Sequence, residues 1–157
     1  MYKVANLSKV QRKELFSETA TLMNTTNAIV AKRTFWEKAT ILHHEANRPK
    51  DSLMPTRYSR HYYDLAMMAK DKVKNEALSD FELLKNVVEF KEKFYPRTWA
   101  KYEEAKKGTF KLLPPIFRLD DLEKDYKAMG NMIFDKKISF TEIIELLKNL
   151  EIEINKN

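Results

Sequence analysis

The sequence contains no cysteine, only two glycines and five prolines in 157 residues. Without cysteine there is no disulfide scaffold, no zinc ribbon and no thiol nucleophile. Two glycines are too few for a glycine-rich phosphate loop or for a fold of many tight hairpins. No apolar run approaches the ~20 residues that span a bilayer, and the opening residues lack the apolar core of a secretory leader. These absences lead to the expectation of a soluble, cytoplasmic protein. What is present suits a packed core, with 43% apolar and 33% charged residues.

Lysine and arginine outnumber acids by 29 to 23, for a formal charge of +6. The excess is uneven. Up to Leu78 the chain carries 14 basic and 8 acidic residues, and beyond it 15 of each. A polyanion such as RNA or a nucleotide phosphate would be held by the first half, although a solvated helix surface has the same composition.

The pattern predicts an all-α protein, one compact domain of six or seven helices. Ser8 and Gln11 form a capping box for a helix running to about Met23. Thr25 or Thr26 is placed to cap a second, through Phe35, Trp36, Ala39 and Leu42 to Asn47. Pro49 to Thr56 reads as a loop, Ser59 to Lys70 as a third helix, and the residues after it as a polar interval. Ser79 and Glu82 open a fourth, with Phe81, Leu84, Val87, Val88, Lys91 and Phe94 on one phase. A short helix over Trp99–Lys106 is expected to stop at Gly108. Phe110 to Ile116 is extended because Pro114-Pro115 forbids helix. Helices over Leu119–Phe134 and Ser139–Ile154 complete the chain, the latter capped by Ser139 and Glu142.

Metal chemistry finds little support. His43 and His44 are adjacent, about 100° apart on a helix, and cannot readily share an ion. The run His44-Glu45-Ala46-Asn47-Arg48 has arginine where a zinc-protease helix needs its second histidine. His61 and Asp64 share a helix face, yet two ligands make no site, so His61 reads as a structural or substrate-orienting residue. Asp120, Asp121 and Glu123 suit the acidic first turn of a helix better than a Mg²⁺ site. Lys38 and Asp64 are more informative. A lysine on an aromatic-rich helix reaches phosphate as a point charge, and an aspartate one helix later positions it; a plain surface salt bridge has the same spacing.

Around these two residues the sequence resembles the nucleotidyltransferase toxins of bacterial abortive-infection systems, the AbiEii type. The resemblance is carried by the run from Arg33 through Phe35-Trp36-Glu37-Lys38 to His43, then Glu45 to Pro49. It continues with Ser59-Arg60-His61-Tyr62-Tyr63-Asp64-Leu65, Lys91–Tyr102, Gly108–Pro115, Asp125-Tyr126, Met132-Ile133-Phe134 and Ser139-Phe140. It implies that Lys38 and Asp64 belong to motifs needed for activity, and that a neighbouring antitoxin is the partner. Such toxins also carry, ahead of the Phe-Trp-Glu-Lys helix, a mixed α/β core with a Gly-Ser turn and an Asp-x-Asp motif that binds metal and nucleotide. This sequence has neither before Lys38.

The expectation is therefore a segment 1–32 like the family's N-terminal helices, joined directly to a helical domain 33–157 after loss of the catalytic core. On this reading there is no metal site, no cofactor and no catalysis. Two alternatives stay open. One is an active nucleotidyltransferase on tRNA or another acceptor, with Mg²⁺ on Glu37, Asp51 and Asp64. The other is a basic RNA- or protein-binding module using Arg57, Arg60 and His61 for nucleotide or RNA. Loss of the core is also expected to expose Phe35, Trp36 and Tyr62, leading to a homodimer or to cover by the N-terminal helix.

Overall fold

The computed structural model describes residues 9–130 and 138–156. Among them are six α-helices, two short 3-10 turns and no strand, so the protein is all-α. The helices are α1 (Lys9–Ala46), α2 (Ser59–Ala69), α3 (Val73–Leu78), α4 (Phe81–Phe94), α5 (Leu119–Ala128) and α6 (Phe140–Lys156). The chain divides into two units, Met1–Ala31 and Lys32–Asn157. Ser8 of the expected capping box and the stretch 131–137, with Met132-Ile133-Phe134, lie outside the described residues.

In the first unit the expected break at Thr25-Thr26 does not occur. The hydroxyls of Thr21, Thr25 and Thr26 each donate to the carbonyl four residues back, at 2.9 Å. A threonine bonded in this way continues a helix rather than capping a new one. Leu22, Met23, Ile29 and Val30 on this stretch are exposed.

The second unit packs around the C-terminal part of α1. Phe35, Trp36, Ala39 and Leu42 recur at helical spacing and are fully buried. The Trp36 ring meets Phe35 edge-on at 5.2 Å, with Phe81 at 5.6 Å and Phe110 at 6.3 Å. Tyr62, also buried, lies on α2, which packs chiefly on α6. The expected exposure of Phe35, Trp36 and Tyr62 is thus incorrect: all three are buried, and Phe81 at the start of α4 and Phe110 of the extended segment close over the Trp36 ring.

The helix ends follow local chemistry. Asp80, not Ser79, caps α4: its Oδ1 accepts the Leu83 N–H at 3.1 Å while its Oδ2 takes Lys32 Nζ at 2.7 Å. The polar interval after Lys70 contains the six-residue α3, held by buried Val73 and Ala77. Over Trp99–Lys106 only Tyr102–Glu104 forms a 3-10 turn, because Lys101 adopts φ 51°, which an α-helix cannot continue through. Ser139 Oγ accepts the Glu142 N–H at 3.1 Å, the forward half of the expected cap of α6. From α6, Glu151 accepts the N–H groups of Leu112 and Leu113, and the Asn155 amide bonds both the N–H and C=O of Phe110.

Candidate functional site

Lys38 and Asp64 come together. Lys38 stands two residues past Trp36 on α1, half out of the core, and Asp64 lies one turn along α2 from His61. Lys38 Nζ donates to Asp64 Oδ2 at 2.6 Å and lies 3.2 Å from His61 Nδ1. An ammonium can only donate, so Nδ1 is the acceptor and the histidine is neutral. Burial first, then the charges of Lys38 and Arg60, push the His61 pKa down to about 4. Its ring meets Tyr58 edge-on at 4.9 Å.

A further cation belongs here that the sequence pattern assigned to the apolar phase of α4. Lys91 donates to the Glu37 carbonyl at 3.1 Å, and burial with the nearby Lys38 charge lowers its pKa to about 8. The signal was available: a lysine on the hydrophobic phase of an amphipathic helix places its ammonium at the edge of the core. Arg33 pairs with Glu37 at 2.9 Å and lies over the Phe90 ring. Phe90, Phe94 and Tyr95 are exposed beside one another at the end of α4.

Arg57 and Arg60 are exposed, but they do different things. Arg60 bears electrostatically on His61. Arg57, with φ 62°, instead faces Asp125 of α5, to which its backbone N–H donates at 2.7 Å. The other Asp125 oxygen accepts the N–H and hydroxyl of Ser59, so α5 anchors the start of α2 and thereby the height of His61 and Asp64. These three hydrogen-bond donors and the Arg57 charge outweigh partial burial and hold the Asp125 carboxyl below its usual range.

The remaining histidines are structural. His43 is buried, donating from Nε2 to the Lys101 carbonyl and accepting the Lys111 N–H at Nδ1, both at 3.0 Å. Both nitrogens are engaged in the neutral form, and burial lowers its pKa. His44 lies 2.9 Å from Glu45, which is 5% exposed and paired bidentately with Arg48 at 2.7 Å. Asp120 and Asp121 occupy the first turn of α5, where the helix dipole favours them.

Mg²⁺ demands several oxygen ligands in octahedral array. Here Asp64 is the carboxylate beside Lys38, it is engaged by that ammonium, and the neighbours are His61, Arg60 and Lys91. Glu37 is tied to Arg33. Among the described residues no three acidic or histidine side chains form a group able to hold a metal. The residues present do not fit the ion. What they can do is receive an anion, such as a phosphate, at the Lys38 and Lys91 ammoniums. An apolar groove of about 490 Å³ lies elsewhere, between α4 and the 102–107 segment, and none of these residues lines it.

Fold and site thus define a helical domain with a cationic cluster built on a Phe-Trp-Glu-Lys helix. A family model described as the nucleotidyl transferase AbiEii toxin of a type IV toxin–antitoxin system matches residues 8–146, and the chain belongs to that family. Membership implies an antitoxin as counterpart. No curated protein and no solved structure matches the chain. No helix among the described residues is long and apolar enough to cross a membrane.

Proposed function

We propose that this chain is a helical, catalytically silent member of the toxin family, retaining the lysine–aspartate pair of the activity motifs without the carboxylates that grip a metal–nucleotide complex. One observation carries the reading: α1 runs unbroken through Lys32-Arg33, where the family's Gly-Ser and Asp-x-Asp core would stand, and straight into Lys38. Metal-assisted nucleotidyl transfer needs acids around the ion and a clamp on the triphosphate. At the cluster the cations Lys38, Arg60 and Lys91 stand near a single carboxylate, Asp64, that is tied to Lys38, so phosphate can be held there but not activated. Arg60 and His61 serve as accessory phosphate contacts.

The test is incubation of the purified chain with labelled nucleoside triphosphates, Mg²⁺ and bulk tRNA. No incorporation is expected, and calorimetric titration with triphosphate should give the same weak binding with and without Mg²⁺. Metal-dependent incorporation that disappears in Lys38→Ala would overturn the proposal. A second reading, an RNA-binding module, is favoured by the exposed Phe90, Phe94 and Tyr95 beside Arg33. It requires tRNA affinity with a steep salt slope that falls in Arg57→Ala/Arg60→Ala.

A further inference from the structure

The first part of α1 carries a pattern that the cationic cluster does not explain. Adjacent apolar pairs recur every seven residues, Leu15-Phe16, Leu22-Met23 and Ile29-Val30. Seven residues are two turns at a period of 3.5, the repeat that keeps one seam facing a partner helix in a left-handed coiled coil. Leu22, Met23, Ile29 and Val30 are 69, 64, 52 and 57% exposed. From Thr19 to Ala31 there is no charged residue, although the water-facing side of a helix is ordinarily charged.

We propose that the 9–31 part of α1 pairs with the same part of a second copy of this chain as a two-helix coiled coil. Three features favour a second copy over a different protein. Charges flanking a seam are what encode a foreign partner, and between Thr19 and Ala31 there are none to encode it or to repel an identical helix. Three equally spaced pairs also match themselves under a two-fold axis, as an isologous contact requires. The hydroxyls of Thr21, Thr25 and Thr26 are already bonded to their own helix, so they enter the interface without losing a partner.

The size is adequate. At roughly 100 Å² each, the four exposed side chains of two copies supply roughly 800 Å² of apolar surface. The threonine and alanine methyls beside them bring the contact to about the 1,000 Å² of a specific interface. This inference is independent of whether the chain is catalytically silent.

Sedimentation equilibrium and light scattering of the full chain over a wide concentration range test it. The expected result is a reversible monomer–dimer equilibrium with a limiting mass twice that of one chain. Leu22→Glu/Ile29→Glu should give the monomer mass throughout, with the near-ultraviolet signal of buried Trp36 unchanged as proof of folding. The milder Leu22→Ala/Ile29→Ala should weaken association at least tenfold. A wild-type chain that stays monomeric, aggregates without fixed mass, or a dimer indifferent to both variants would overturn it.

Discussion

Lowering the pH should destabilise this protein, and the share carried by one histidine, His61, can be isolated. The His61 pKa falls from 6.5 in the unfolded chain to about 4 in the fold. A group depressed by folding contributes stability that is fully present above 6.5 and drains away as the pH falls toward the folded value. The residue is 7% exposed, so solvent screening removes little of the effect. Linkage then gives a loss of about 2 kcal/mol by about pH 5 and about 3 kcal/mol by about pH 4. The carboxylates depressed by folding, Glu45, Asp80, Glu104 and Asp125, lose their contribution only below their own unfolded values of 4.5 and 3.8, beneath the range of the urea comparison. His43 is also depressed and adds to the same window, so the informative comparison is with His61→Asn, whose Oδ1 can still accept from Lys38. Urea unfolding between about pH 7 and about pH 5 should show the variant losing about 2 kcal/mol less than the wild type. Equal losses in the two proteins would refute the assignment of a neutral His61 held against the Lys38 ammonium.

Three further outcomes follow from the packing. Trp36→Ala should cost about 3–5 kcal/mol, read from the urea midpoint, because an enclosed aromatic leaves a cavity among Phe35, Phe81 and Phe110. Glu45→Ala removes the bidentate partner of Arg48, which keeps its bonds to Ser52 and Leu53, and should cost about 1–3 kcal/mol, whereas Lys85→Ala, breaking an exposed 3.8 Å pair with Glu82, should stay within about 0.5 kcal/mol. Asp125→Ala removes the anchor of α2 and should cost about 0.5–2 kcal/mol, with faster amide exchange at Ser59 as the local signature.

Helix content was legible because the apolar spacing at Phe35-Trp36-Ala39-Leu42 and at Ile143-Leu147-Leu150-Ile154 is strong and the ends are punctuated by Pro49, Pro96 and Pro114-Pro115. The errors have local causes. Thr25-Thr26 looks like a cap in sequence, but a hydroxyl that bonds back to its own helix leaves no mark there. The short α3 has too few residues to show a period. Lys38 and Asp64 were legible from the motifs around them, whereas their closeness and the part played by Lys91 depend on how α1, α2 and α4 meet. Asp125, which fixes α2 from 66 residues away along the chain, is a long-range bond that no local pattern encodes. The supposed exposure of Trp36 failed for the same reason: Phe81 and Phe110 come from distant segments.

The double hydrogen bond from Asn155 to the Phe110 peptide, with Glu151 beside it, also sets an order of events during synthesis. The lid over the Trp36 ring cannot be pinned until α6 has left the ribosome. Until then the nascent chain carries an open aromatic pocket, and sealing it waits on a side chain made 45 residues after Phe110.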